Sequence, residues 1–231
     1  MIDKIFAESL FAGIVLSMAA YGIGLMVYRR YKFFLFNPLL IAIVLSIALL
    51  MLFDVDYSSY ENSTKYMNFL LTPATVCLAI PLYEQYKLLK KNFTAIMVGI
   101  ASGVVTGLAT IFLFALLFGL GHYEYVTLLP KSITTAIGIA LSEELSGCIS
   151  ITVVSIVITG LFGNIAGEKM CRIFGIEHPV AKGIAIGTSA HVMGTAKAME
   201  MGEIEGAMSS LSIVVAGCMT VVGAIIFSSF I

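Results

Sequence analysis

The sequence predicts an all-α integral membrane protein with about seven to eight membrane segments. Some of these are broken or re-entrant helices, in an order that suggests an inverted repeat. Three observations predict this. Of 231 residues, 59% are apolar and only 12% are charged, with a mean hydropathy of +1.02; a water-facing surface needs roughly a quarter of residues charged. Cutting the chain at its 13 basic and 14 acidic residues leaves six charge-free runs of 18 residues or more, and a helical crossing takes about 20. The runs are continuous and do not alternate, which excludes a β-barrel. The same numbers exclude soluble enzymes, nucleic-acid binders and disordered regulators. Residues 1–231 read as a single polytopic membrane domain, with repeat halves of about 1–120 and 128–231.

The elements follow in order. The long runs are Ser9–Tyr28, Phe33–Phe53, Tyr66–Tyr83, Asn92–Tyr123, Leu145–Gly167 and Gly206–Ile231. The first is read as a membrane helix and not a cleavable signal, because Asp3 and Glu8 offset Lys4 and no positive n-region remains. Pro38 sits near a segment start, where a missing N–H costs little. Pro73 and Pro81 fall inside the third run and argue against one regular helix there. Nine of the ten tyrosines lie at or just beyond run ends, the interfacial aromatic position, with Tyr21 the exception. Two shorter runs, Ser132–Ser142 and Gly183–Ala196, have 11 and 14 residues. Gly99, Gly103 and Gly107 form a double GxxxG, and Gly163/Gly167 and Gly183/Gly187 add two pairs that let helices approach closely in lipid.

Loop charge sets a topology. Arg29-Arg30-Tyr31-Lys32 and Lys87–Lys91 are expected inside and Asp54–Lys65 outside. If the run at Ser132 dips in and returns, the basic loop from Lys169 to Lys182 also lies inside. The Glu200-Glu203-Glu205 loop then lies outside, giving seven crossings and one re-entrant element. Cys77, Cys148, Cys171 and Cys218 show no metal or redox spacing and read as packing residues. No metal, cofactor or enzymatic motif is expected.

Chemistry concentrates where Pro or Gly interrupts apolar sequence beside hydroxyls: Leu71–Pro81, Leu129–Thr135 and Gly187–Lys197. Pro73, Pro81, Pro130, Gly187 and Gly194 are the expected helix breaks. Non-helical backbone survives at membrane depth only when buried in protein or lining a wet cavity, and free N–H groups at half-helix starts bind anions. Lys131 and Lys197 are costly in lipid unless paired or hydrated; snorkelling to the interface, or pairing of Lys197 with Glu200 or Glu203, is the plainer account. His191 is either a hydrogen-bonded core histidine or a ligand and proton carrier.

These stretches resemble the LrgB/CidB family of antiholin-like membrane proteins over nearly the whole chain. The resemblance rests on Tyr28–Tyr31, Asn37–Leu40, Thr72–Tyr83, Leu129–Thr135, Gly187–His191 with Gly194–Ala198, and Met201–Met208. Ala136 stands where the family pattern has proline, and Lys197 where it has arginine; the second keeps charge but loses bidentate geometry. The resemblance implies either a regulator of murein hydrolase export and lysis acting with a small LrgA/CidA-type protein, or a transporter, since the family is similar to plastid glycolate/glycerate and bacterial pyruvate-uptake proteins. The residues favour secondary transport of a small monocarboxylate of the pyruvate, lactate or glycolate class. Thr72, Thr75, Lys131, Ser132, Thr134, Thr135, Thr188, Ser189, His191, Thr195 and Lys197 are expected to converge on one substrate site, with His191 the candidate for proton coupling. Expected partners are the bilayer, a small carboxylate and the LrgA/CidA-type protein, with homo-oligomerisation left open and nucleic acid excluded. The expected location is the bacterial cytoplasmic (inner) membrane, as a multi-pass protein.

Overall fold

A computed structural model describes residues 2–31, 36–77 and 79–231, without the side chains at 2, 68, 71, 72, 75, 81 and 82. The described chain is helical from end to end, and its contacts divide it into two units, Met1–Cys77 and Leu78–Ile231.

The first unit contains α1 (Ile2–Glu8), α2 (Ala12–Tyr31), α3 (Pro38–Leu52), α4 (Tyr57–Ser63) and α5 (Lys65–Cys77). Asn37 caps α3, its Oδ1 accepting from the Leu39 and Leu40 N–H groups at 2.9 and 3.4 Å, and Pro38 takes the first turn, where it sacrifices no bond. Gly24 lets α2 pass against the Pro38 backbone; a Cβ there would lie 2.6 Å from the Pro38 carbonyl oxygen. The helix α4 is tied back to the start of α2, where the Gly13 N–H donates to Ser63 Oγ at 3.1 Å. Ser17 and Tyr60 hydroxyls meet at 2.7 Å. The helix α5 runs through Pro73, which is therefore not the break expected from the sequence.

The second unit contains α6 (Ala79–Glu84), α7 (Tyr86–Lys91), α8 (Phe93–Phe118), α9 (His122–Leu128), α10 (Thr135–Glu144), α11 (Ile149–Ile173), α12 (Pro179–Met201) and α13 (Glu203–Ser228). Among the described residues, α2, α8, α11 and α13 are long and apolar enough to cross a membrane. The helix α8 stops at Gly119, whose φ of +64° suits a residue without a side chain.

Two hairpins stand between the long helices. The first is α9 with α10. Thr127 and Ser142 come together on Thr152 of α11, whose Oγ1 is 2.8 Å from both the Thr127 carbonyl oxygen and Ser142 Oγ. The Cys148 N–H donates to Thr127 Oγ1 at 2.8 Å. The chain therefore leaves this hairpin at the end where it entered, as expected for a re-entrant run at Ser132, with its turn at residues 129–134.

The second hairpin is α12 itself, broken at Ala190 (φ −133°, ψ 16°) and His191 (φ 42°, ψ −139°). Residues 191–201 fold back along residues 179–190. A Cβ at Gly194 would lie 3.1 Å from the Ile186 carbonyl oxygen, and Ala198 shares a buried cluster with Ile186 and Cys171; a straight helix would hold residues 186 and 198 about 18 Å apart. Lys197 also reaches Glu168 near the end of α11, at 3.2 Å. This corrects the topology read from charge. The 183–196 run does not cross, and Glu200–Glu205 lies at the same end as Lys182. Because α11 runs from the base of the first hairpin to the base of the second, the hairpins enter from opposite ends. The order α8–hairpin followed by α11–hairpin is thus an inverted pair within one unit.

Glycines permit this packing. A Cβ at Gly187 would lie 2.5 Å from the Ser209 carbonyl oxygen, and one at Gly163 would collide with Ala190 Cβ. Gly187→Val is expected to cost about 2 kcal/mol by overpacking, read as a lower unfolding temperature in detergent. In sealed vesicles, cysteines replacing Lys182 and Glu203 should react with an impermeant maleimide from the same side, and one replacing His122 from the other.

Candidate functional site

Both hairpin tips reach the wall of one cavity of about 890 Å³, lined by α8, α11 and the first arm of α12. Of the eleven predicted site residues, Lys131, Ser132, Thr188 and Ser189 line it. Lys131 Nζ donates to Ser132 Oγ at 3.1 Å, and no carboxylate pairs with it among the described residues. The turn at Pro130 carries both groups to the cavity wall. Ser189 Oγ is occupied by its own helix, donating to the Ala185 carbonyl at 2.7 Å. Thr188 differs: it is only 7% exposed, and its Oγ1 has no hydrogen-bond partner among the described residues.

The structure places five other candidates away from the cavity. Thr134 precedes α10 without a side-chain cap, and Thr135 is exposed on its first turn. The side chains of Thr72, Thr75 and Pro81 lie outside the described residues. His191 does not line the cavity. It is 4% exposed, seated over Gly160, with Nε2 3.0 Å from the Ile156 carbonyl oxygen. Thr195 is buried behind the tip, donating to the His191 carbonyl at 2.9 Å and meeting Ser209 Oγ at 2.7 Å. Lys197 sits at the base of the hairpin, 3.2 Å from both Glu168 and Glu200. The helix reverses at Ala190–His191, between Gly187 and Gly194, and both glycines are used for close approach.

Thus a cation, a hydroxyl pair and an unpartnered hydroxyl share one cavity, and a separate set of hydrogen bonds fixes the reversal beside it. The match to known proteins agrees with this membrane architecture. The family model described as LrgB-like family covers residues 17–230.

The chain belongs to the LrgB-like family.

Proteins named Antiholin-like protein LrgB from Bacillus cereus and Bacillus anthracis are each 38% identical over 220 residues, 95% of this chain and 96% of the relative. No solved structure matches the chain significantly.

Several residues of this LrgB-like protein that sequence reasoning passed over matter here. Asn164 Nδ2 donates to the Met193 carbonyl at 2.8 Å and holds the returning arm of α12 to α11. Ser209 of α13 backs the tip. Thr159 and Thr220 line the cavity from α11 and α13. Hydroxyls inside long apolar runs were the available signal, but run length alone does not say which face of a helix they occupy.

The geometry of His191 makes a stability ranking testable. Its φ of 42° with ψ of −139° costs a residue with a side chain on the order of 1–3 kcal/mol, a strain glycine escapes. His191→Ala keeps the strain and loses the bond to Ile156. His191→Gly is expected to be at least as stable as His191→Ala, by up to about 1 kcal/mol, reversing the usual alanine-over-glycine order in helices. Thermal unfolding of the two purified variants measures this.

Proposed function

We propose that this LrgB-like membrane protein acts as an antiholin-like protein, restraining murein hydrolase export and lysis together with a small LrgA/CidA-type membrane protein. The observation that carries the reading is 38% identity, over nearly the full length of both chains, to proteins bearing the antiholin-like name. Exposed small and hydroxyl residues on α8, such as Ser102 and Thr106, support action through a membrane partner, since small residues are the usual material of helix–helix contact in lipid.

One observation favours a second reading, secondary transport of a small monocarboxylate. Opposed re-entrant hairpins whose tips bring Lys131, Ser132, Thr188 and Ser189 to one cavity resemble the midplane sites of transporters built on inverted repeats. In that reading Lys131 holds the carboxylate and the hydroxyls hold an α-keto or α-hydroxy oxygen. His191 serves as a strut, because its ring bonds a backbone carbonyl behind the cavity.

Two assays separate the readings. Deleting the gene should advance lysis and raise extracellular murein hydrolase activity in a partner-dependent way if the antiholin-like reading holds; unchanged lysis with and without the partner would overturn it. Proteoliposomes should take up labelled pyruvate, lactate or glycolate if the transport reading holds, with Lys131→Gln cutting the initial rate at least tenfold. Uptake indifferent to Lys131→Gln would sink that site assignment.

A further inference from the structure

We propose that the trough over α12, between α8 and α11, is the seat of a partner's transmembrane helix that has small residues on one face and a carboxylate placed to reach Lys131. The seat deepens the partner-dependent reading above and rests on it.

Size argues first. A three-carbon acid displaces roughly 100 Å³, three to four water volumes, so a cavity of about 890 Å³ is far larger than it needs. The trough runs from Asn92 to Ile111 along α8 and from Phe174 to Thr159 along α11, about 28 and 22 Å at 1.5 Å per residue. Half the cross-section of a helix about 10 Å wide, over the shorter of these lengths, is about 900 Å³. The trough matches one helix sunk to its axis.

Its walls argue second. The helix α12 packs against both α8 and α11, which do not pack closely on each other. Their facing sides are Gly99, Gly103 and Gly107 on one wall and Gly163, Ala166 and Gly167 on the other. Such walls let a backbone come close, and they offer an acyl chain poor contact.

Polarity argues third, and independently. Thr188 Oγ1 is buried in the floor without a partner among the described residues, and lacking one is costly at membrane depth. Lys131 closes the far end without a carboxylate. A helix bearing one Asp or Glu near the middle of its span, itself expensive in lipid, would satisfy Lys131, and a polar side chain or carbonyl on its small-residue face would satisfy Thr188.

The test uses the full chain with its four cysteines replaced, a donor dye on Glu177→Cys in the exposed loop, and vesicles of phosphatidylethanolamine and phosphatidylglycerol. The probe is a synthetic 21-residue Leu/Ala helix with glycine at every fourth position on one face, a central Glu and an acceptor dye. Energy transfer should be saturable, and the Glu peptide should bind at least tenfold more tightly than its Gln counterpart. Lys131→Met should abolish that preference, and Thr106→Leu, on the exposed wall, should weaken both peptides at least tenfold while leaving the unfolding temperature unchanged. Absence of saturable transfer, equal binding of the Glu and Gln peptides, or indifference to Thr106→Leu would overturn the seat. So would transfer between copies of the chain, or co-purified lipid, that Thr106→Leu removes, since the occupant would then be a second copy or a lipid. Lost peptide binding alongside an intact, partner-dependent lysis effect removes the seat alone. Tight peptide binding without any lysis effect removes the antiholin-like reading alone.

Discussion

Lipid offers a peptide group no hydrogen bond, so each reversal of this chain at membrane depth must be enclosed by other helices. The sharpest reversal is at Ala190–His191. Three surfaces enclose it: Gly160 and Gly163 of α11, which leave room for the His191 ring and the Ala190 methyl; Ser209 of α13, which bonds Thr195 behind the tip; and Asn164, which bonds the Met193 carbonyl. Remove that enclosure and α12 has no reason to fold back. Its two arms, the cavity floor and the meeting of Lys197 with Glu168 all follow from it.

The enclosure also explains how glycine is used. Gly187 and Gly194 flank the reversal but do not make it. Each stands where a neighbouring backbone or arm passes within a Cβ radius, Gly187 against Ser209 and Gly194 against Ile186. His191 adopts the positive φ itself. A strained residue other than glycine persists only where its surroundings over-determine it, and here the bond from its ring to the Ile156 carbonyl and the contact over Gly160 do so.

This accounts for what the sequence let one read. Four of the six long runs became α2, α8, α11 and α13, long and apolar enough to cross, whereas Phe33–Phe53 holds the shorter α3 and Tyr66–Tyr83 is divided between α5 and α6. The dip at Ser132 was legible because an 11-residue run is too short to count as a crossing, and because a return there keeps the basic Lys169–Lys182 loop inside. The fold-back of α12 was only half legible: Gly187 and Gly194 marked a break in the 14-residue charge-free run, but the run read as a broken crossing, and its reversal depends on contacts with residues 14 to 35 positions away. The partner of Lys197 was hidden for the same reason. Glu200, one turn on, was visible in the spacing, whereas Glu168 becomes a neighbour only once α12 returns to the end where it began. The cavity set was partly legible. Lys131, Ser132, Thr188 and Ser189 stand out as polar groups at two breaks, but His191 and Thr195 share that pattern and are consumed in holding the turn.

That division between groups that hold the fold and groups left over bears directly on function. Polar side chains in lipid are expensive, and those that tie a hairpin are satisfied within the chain: Thr127, Ser142 and Thr152 at one tip base, His191, Thr195 and Ser209 at the other tip. Lys131 and Thr188 stand outside both sets. The first lacks a carboxylate and the second lacks any partner among the described residues, and both residues line the same cavity. A structural role would leave them satisfied at no added cost, as it does their neighbours. Their incompleteness among the described residues is what the proposed seat would answer. A small acid could answer Lys131 alone, but it would leave most of a trough more than about 20 Å long unfilled, and glycines along both of its walls suit the close approach of a backbone.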